Sequence, residues 1–228
     1  MLRNVELIHE SFPDWEIWIA VGTGVPDLIV QELQMHSFVK LRFTNETGHI
    51  NMSYRFFPID DPAVEIMCVR DADSRVFARD ASCVKDFVQS EKLFHIVRDH
   101  PNHHHTIMGC SFGIKKGLLN RPLEEIFQEY RQQRSVTEFW NDMEFISAVF
   151  YPHVLSVSMI HDDLQRFESP SMKTRFKVSV GDGLHFIGQV YEFDDTGNEY
   201  PKYTDFFEGG VHGKGFWTEE RLQRIQNY

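Results

Sequence analysis

The stretch that decides the predicted fold is Val64–Arg75, VEIMCVRDADSR. Residues 64–69 are largely apolar and favour a β-strand, and charge begins abruptly at Arg70. A short apolar run that ends in charge is typical of a buried strand in a parallel sheet. Ligands bind at the carboxyl ends of the strands in open α/β sheets, so the residues after Val69 are expected at a cleft.

Two carboxylates, Asp71 and Asp73, lie one residue apart just after this strand. Carboxylates at a buried position need a partner or a cation, and Mg²⁺ or Mn²⁺ accepts carboxylate oxygens while leaving coordination positions for phosphate. The flanking Arg70 and Arg75 suit phosphate recognition. The same pattern also occurs in turns, where an Asp side chain accepts from nearby backbone N–H groups. Both interpretations stay open at this point.

Length and composition predict one globular domain that spans residues 1–228. The chain is 42% hydrophobic and contains twenty Phe, which is enough to form a sizeable core. Its net charge of −11 disfavours a nucleic-acid partner. The three cysteines are odd in number and lack metal-ligand spacing, which favours a reducing compartment. No apolar run is long enough for a transmembrane segment or a signal peptide, so we expect a soluble, cytoplasmic protein.

Strand and helix signals alternate along the chain, which favours an α/β fold with a mainly parallel central sheet flanked by helices. A turn-rich region near the C-terminus is expected to form a smaller antiparallel part. Strands are predicted at 15–21, 38–43, 64–69, 93–97, 107–114, 154–160, 176–180 and 185–191, and helices at 5–12, 26–35, 79–90, 122–131 and 137–150.

Other charged residues have two interpretations. On the helix that starts at Thr137, Asp142 projects about 60° from the apolar stripe, at the rim of the core, where it can serve a site or cap the fold. The neighbours Arg98 and Asp99 are interpreted as a local ion pair that contributes little to stability.

In order along the chain, several short segments resemble GT-A-fold glycosyltransferases that use nucleotide sugars. The likeness is strongest to a group of uncharacterised sugar transferases from capsule-type and viral glycan loci, which is distantly similar to glycogenin. It covers roughly residues 12–191. The matching segments are Tyr54-Arg55-Phe56, Arg70 to Arg75, His95 to Pro101, Ile107 to Gly113, Asp142, His161-Asp162 and Phe186 to Gln189.

This resemblance implies a Mn²⁺- or Mg²⁺-dependent transfer of a sugar from a nucleoside diphosphate to a hydroxyl of a glycan or glycoprotein acceptor. It implies that Asp73 holds the metal most directly and that Asp71 contacts the metal and the ribose. Arg55 and Arg75 are expected at the nucleotide. Asp142 matches the carboxylate that faces the reacting carbon, as a base or charge stabiliser.

Two features at the ends of the chain belong to the same resemblance. The loop that contains His212 and Lys214 is similar to a terminal loop of glycogenin-like proteins, so His212 is expected at the metal and Lys214 at the donor. Members of the family begin with a strand before their first helix, and that strand helps to bind the nucleobase. The present sequence matches from within that helix, at Leu2–Val5, so we expect the first strand to be missing or replaced.

Two other functions stay open. One is a non-catalytic, truncated relative that binds a nucleotide sugar or a glycan. The other is a haloacid-dehalogenase-like phosphatase, in which the first Asp of an Asp-x-Asp motif is the nucleophile. Arg70 interrupts the apolar run, Ser74 stands where Thr or Val is usual, and Gly181-Asp182 lacks a following acidic residue, so the phosphatase pattern fits less well.

Overall fold

A computed structural model describes residues 1–46, 48–100, 102–134, 141–162, 167–179 and 185–202. Within these ranges the chain is a mixed α/β protein, as predicted. The helices are α1 (Leu2–Ser11), α2 (Asp27–Gln34), α3 (Ala78–Gln89), α4 (Leu123–Gln133) and α5 (Asn141–Val154), and a run of 3₁₀ turns covers Gly48–Asp60. The strands are β1 (Ile17–Val21), β2 (Val39–Phe43), β3 (Ile66–Val69), β4 (Phe94–Arg98), β5 (Phe112–Lys115), β6 (Ser158–Asp162), β7 (Lys173–Thr174), β8 (Tyr191–Phe193) and β9 (Glu199–Pro201).

The strands form one large sheet and two small ones. The large sheet has the order β3-β5-β4-β6-β7, β1 pairs with β2 in parallel, and β8 and β9 form an antiparallel hairpin toward the C-terminus. The large sheet is mixed, because β5 runs antiparallel to both of its neighbours while β4, β6 and β7 are parallel. Parallel strands usually need a helical crossover, and the described residues between β4 and β5 contain no helix, so β5 returns in the opposite direction.

The main core lies between the large sheet and the helices α4 and α5 together with the 3₁₀ run. Phe94 and Ile96 of β4 face this core, and Phe112 of β5 stacks on Phe94 with ring centroids 5.8 Å apart. Side chains alternate along a strand, so His95 and Val97 face the other side, where α3 covers them. Because both faces of β4 are buried, its sequence is a short, nearly continuous apolar run.

The C-terminal strands differ from the prediction. Residues 176–179 form no strand, and residues 185–189 form a loop with a turn. The extended pairing begins only with an isolated bridge between Ser74 and Val190, followed by β8. The predicted strand at 107–114 is likewise a strand only from Phe112 onward. The apolar residues of these segments are buried by contacts with distant parts of the chain. Their pattern therefore does not show which backbone N–H and C=O groups pair with another strand.

All three cysteines are free, and Cys83 and Cys110 are buried. Burial raises the pKa of Cys68 and of Cys110 to about 12, so neither thiol ionises at neutral pH. No helix among the described residues is long and apolar enough to cross a membrane.

Arg98 and Asp99 do not form the predicted local ion pair. The Arg98 side chain is fully buried and pairs with Asp162, its direct partner in the β4–β6 register, and with Glu168. Asp99 instead accepts two hydrogen bonds from Arg79 of α3, at 2.9 Å and 2.6 Å. Successive residues of a strand point to opposite faces, so neighbours in sequence cannot pair there.

Candidate active site

The Asp-x-Asp turn follows β3 directly and borders a cavity of about 360 Å³. The cavity lies between α1, β1, the 3₁₀ run and the end of β3. Its wall includes Asn4, Ile17, Arg55, Arg70 and Asp71. The expectation that charge after Val69 reaches a cleft therefore holds for Asp71.

The turn is built from backbone rather than from carboxylate oxygens. The main-chain oxygen of Asp71 accepts from the Ser74 N–H at 3.3 Å, from the Ser74 hydroxyl at 2.8 Å and from the Asn4 side-chain amide at 3.2 Å. Neither carboxylate is used to close the turn. The Asp-x-Asp segment therefore forms a turn, as one of the two interpretations expected. Because the turn does not use the two carboxylates, both acidic side chains are available for other contacts.

Arg55 joins two of the predicted site residues. Its Nη1 donates to Oδ1 of Asp71, and its Nη2 donates to Oδ2 of Asp142 at 2.6 Å. The Asp142 side chain is only 2% exposed, whereas that of Asp71 is 30% exposed. The 3₁₀ run supplies Arg55, the turn after β3 supplies Asp71 and α5 supplies Asp142, so three separate segments meet at one guanidinium.

Burial raises the pKa of Asp71 above its usual value, and the nearby carboxylates of Asp73 and Asp142 raise it further while Arg55 opposes the rise. Three negative side chains therefore act on one another with a single arginine between two of them. A site with this excess of negative charge is stabilised by a bound cation.

Asp73 is exposed, and its carboxylate makes no hydrogen bond or ion pair with any residue in the described part of the chain. Its main-chain oxygen accepts from the Tyr191 N–H at 3.1 Å. The second carboxylate oxygen of Asp71, Oδ2, likewise has no hydrogen-bond partner within the ranges described above. Two carboxylates from one turn are thus open to solvent and to a ligand.

The two flanking arginines are used within the fold. The guanidinium of Arg70 forms a two-bond pair with Asp80 of α3, and its Nη1 donates to the Val69 oxygen. Arg75 is 3% exposed and pairs with Glu199 of β9. Arg70 and Arg75 therefore meet protein carboxylates at the positions where the sequence suggested phosphate.

These residues fit a Mg²⁺ or Mn²⁺ ion of the substrate-bridging kind. Such an ion is commonly held by one or two carboxylates and completes its coordination with water and substrate phosphate oxygens. Asp71 and Asp73 are the side chains that could supply that donor set. No cluster of three His, Cys, Asp or Glu side chains suited to a metal is found among the described residues. His212 and Lys214 lie outside those residues.

Gly109 belongs to the segment Ile107 to Gly113 that matched the family, and it lies against the central ion pairs, a contact that the sequence did not predict. A Cβ atom at Gly109 would lie 2.7 Å from Arg55 Nη2 and 2.9 Å from Asp142 Oδ2. Only a residue without a side chain leaves room for this pair. The one signal in the sequence is the glycine itself, within the apolar segment IMGC.

Gly109→Ala is expected to lower the free energy of unfolding by about 1–3 kcal/mol, because the methyl group displaces Arg55 or Asp142. Urea denaturation measures the loss. The control is the same substitution in an Asp142→Ala background, where the crowding is relieved and the loss should be smaller. An equal loss in both backgrounds would contradict the assigned contact.

Comparisons with protein-family models, with curated proteins and with solved structures found no match for this chain.

Proposed function

We propose that this protein is a metal-dependent glycosyltransferase, which moves a sugar from a nucleoside-diphosphate donor to a hydroxyl of a glycan or glycoprotein acceptor. The observation that carries the proposal is the turn after β3. The turn is closed by its backbone and by the Ser74 hydroxyl, so neither carboxylate is needed to close it. Asp71 borders the cavity and keeps Oδ2 without a partner among the described residues, and the exposed Asp73 side chain has no partner there either. The resemblance of the ordered sequence segments to GT-A enzymes selects sugar transfer among the reactions that such a site supports.

The metal would be held by Oδ2 of Asp71 and by the carboxylate of Asp73. When bound, the ion acts as a Lewis acid that stabilises the charge on the departing diphosphate. Arg55 adds a positive charge beside Asp71. Because Asp71 and Asp142 hold its guanidinium from two sides, that charge is oriented before the substrate binds.

Asp142 is the proposed base or charge stabiliser for the attacking hydroxyl. Its Oδ2 accepts from Arg55, and Oδ1 has no hydrogen-bond partner among the described residues. General-base assistance by a positioned carboxylate contributes about 10²–10⁴-fold in rate. In this role the pair with Arg55 fixes the orientation of the Asp142 carboxylate.

The volume and the lining of the cavity next to Asp71 suit a bound donor. Its volume of about 360 Å³ lies within the range of sites for small ligands, which is about 300–1,000 Å³. Phe12, Trp15 and Trp18 contribute aromatic surface to its lining, and Asn51 contributes an amide. Apolar walls with a few polar groups are the usual composition of a nucleotide or cofactor site.

The test is calorimetry with Mn²⁺ and a panel of nucleoside-diphosphate sugars, followed by assays for transfer. Asp73→Asn should weaken Mn²⁺ binding at least about tenfold and abolish transfer, because the substitution removes a charged ligand. The midpoint of thermal unfolding should stay that of the wild type. Asp27→Asn, an exposed change at the start of α2, is the matched control and should bind as the wild type does.

Four outcomes distinguish the competing functions. Wild-type protein that binds no Mn²⁺ with any donor, or an Asp73→Asn variant that binds as tightly as the wild type, would end the proposal. Tight donor binding without transfer to any acceptor would indicate the non-catalytic relative. Release of phosphate from a simple ester, with a phosphorylated Asp71, would indicate the phosphatase.

A further inference from the structure

The hairpin β8–β9 packs directly on the Asp-x-Asp turn. Ser74 forms an antiparallel bridge with Val190, and the Tyr191 N–H donates to the main-chain oxygen of Asp73 at 3.1 Å. The Lys202 N–H closes the base of the hairpin on the Val190 oxygen at 2.9 Å. A segment more than 100 residues away in sequence thus extends the backbone pairing of the turn.

Arg75 links the hairpin to this turn through its side chain. The guanidinium pairs with Glu199 of β9, and its Nη1 donates to the Ser74 oxygen at 3.0 Å. It also lies 5.3 Å from the ring centroid of Tyr191 on β8. One buried cation therefore contacts both strands of the hairpin and the main chain next to Asp73.

The register of the hairpin explains which residues reach Arg75. Tyr191 lies opposite Pro201, and Phe193 lies opposite Glu199, so these four residues share one face of the two-stranded sheet. Glu192 and Tyr200 share the opposite face, where Glu192 pairs with Lys202 and accepts from the Tyr200 hydroxyl at 3.1 Å. The two glutamates of the hairpin thus have different surroundings, although each has a basic partner.

We propose that Arg75 and Glu199 are positioning residues, whose ion pair holds the backbone of the turn that carries the Asp73 carboxylate. The Asp73 side chain has no partner of its own among the described residues, so only its backbone sets its direction. That backbone is held by Ser74, by Tyr191 and, through the ion pair, by β9.

This inference rests on the proposed function, because it assumes that Asp71 and Asp73 share a metal ion. The two carboxylates come from one turn, with only Ala72 between them. Residues that orient the ligands of a metal contribute about 10–100-fold to its affinity. Arg75, which is 3% exposed, therefore serves the site through the main chain of the turn.

The test compares Glu199→Ala with Glu192→Ala, a matched change on the opposite face of the same hairpin. Mn²⁺ affinity is measured by electron paramagnetic resonance titration, and hydrogen exchange of the Tyr191 amide is measured without metal. Glu199→Ala should weaken Mn²⁺ binding about 10–100-fold and speed exchange at Tyr191, while Glu192→Ala should leave both near the wild-type values. Arg75→Lys, which keeps the charge but loses the second hydrogen-bonding arm, should weaken binding to a smaller degree.

The outcomes separate this inference from the proposed function. If the wild type binds Mn²⁺ in an Asp73-dependent way and Glu199→Ala binds equally well, only the positioning role is overturned. Equal effects of Glu199→Ala and Glu192→Ala would also overturn it, since a general loosening of the hairpin would then suffice. If the wild type binds no Mn²⁺, the proposed function and the positioning role both fall, even where exchange at Tyr191 shows that the ion pair secures the hairpin.

Discussion

Asp142→Asn is expected to lower the rate of sugar transfer at saturating donor by about 10²–10⁴-fold, with little change in the affinity for donor and Mn²⁺. Asparagine has nearly the same shape and can still accept from Arg55 through its carbonyl oxygen, so the local structure should persist. It cannot take a proton from the attacking hydroxyl or carry a stabilising charge. Initial rates, combined with calorimetry on the same protein, measure the two quantities separately.

Glu144→Gln is the control for this variant, because Glu144 lies on the same helix and is exposed. It should transfer sugar at the wild-type rate. A loss of donor affinity in Asp142→Asn without a loss of turnover would reassign Asp142 to binding. A large loss of thermal stability would indicate that its ion pair with Arg55 mainly stabilises the fold.

Arg98→Met is expected to lower the free energy of unfolding by about 3–5 kcal/mol, which is the usual cost of removing one partner from a buried ion pair. Arg98 is fully buried, and its Nε lies 3.0 Å from Asp162 Oδ2. Without it, Asp162 and Glu168 keep Lys173 as their basic partner, at 2.9 Å and 4.0 Å. Because a domain of this kind is stable by only about 5–15 kcal/mol, urea denaturation should show a large shift of the midpoint.

Arg121→Met provides the comparison for a surface pair. Arg121 is 39% exposed, and its Nη1 lies 3.1 Å from Glu129 Oε2, so its loss should cost less than about 1 kcal/mol. The difference between the two variants tests burial directly, since both remove an arginine that has carboxylate partners. Equal losses would show that Asp162 and Glu168 gain water or protons at little cost when Arg98 is absent.

The secondary structure before residue 160 could largely be predicted, because most elements there carry a clear apolar period or a distinct boundary. The sequence predicted helices at 79–90 and 122–131. The structure has α3 at Ala78–Gln89 and α4 at Leu123–Gln133. The direction of β5 could not be predicted in this way. Its residues have the same apolar character in either direction, and only the pairing with β3 and β4 distinguishes the two.

The candidate site was predictable in part. The apolar run before Asp71 indicated a strand end at a cleft, and the cavity lies there. The partner of each arginine was not predictable, because Asp80, Glu199 and Asp142 come from elements that meet only in the folded chain. The close approach of Gly109 to Arg55 depends on the same meeting of elements.

The sequence by itself determined that this is an α/β protein with an acidic pair just after a buried strand, because apolar periodicity and residue chemistry are local properties. Only the tertiary structure decided which charged side chains pair within the fold and which have no partner among the described residues. Arg70 and Arg75 are paired inside the fold, while Asp73 remains exposed and Asp71 keeps one carboxylate oxygen free of a partner among the described residues. The physical reason is that burial forces each charge to find an opposite charge nearby, and that partner is chosen by the packing of distant segments.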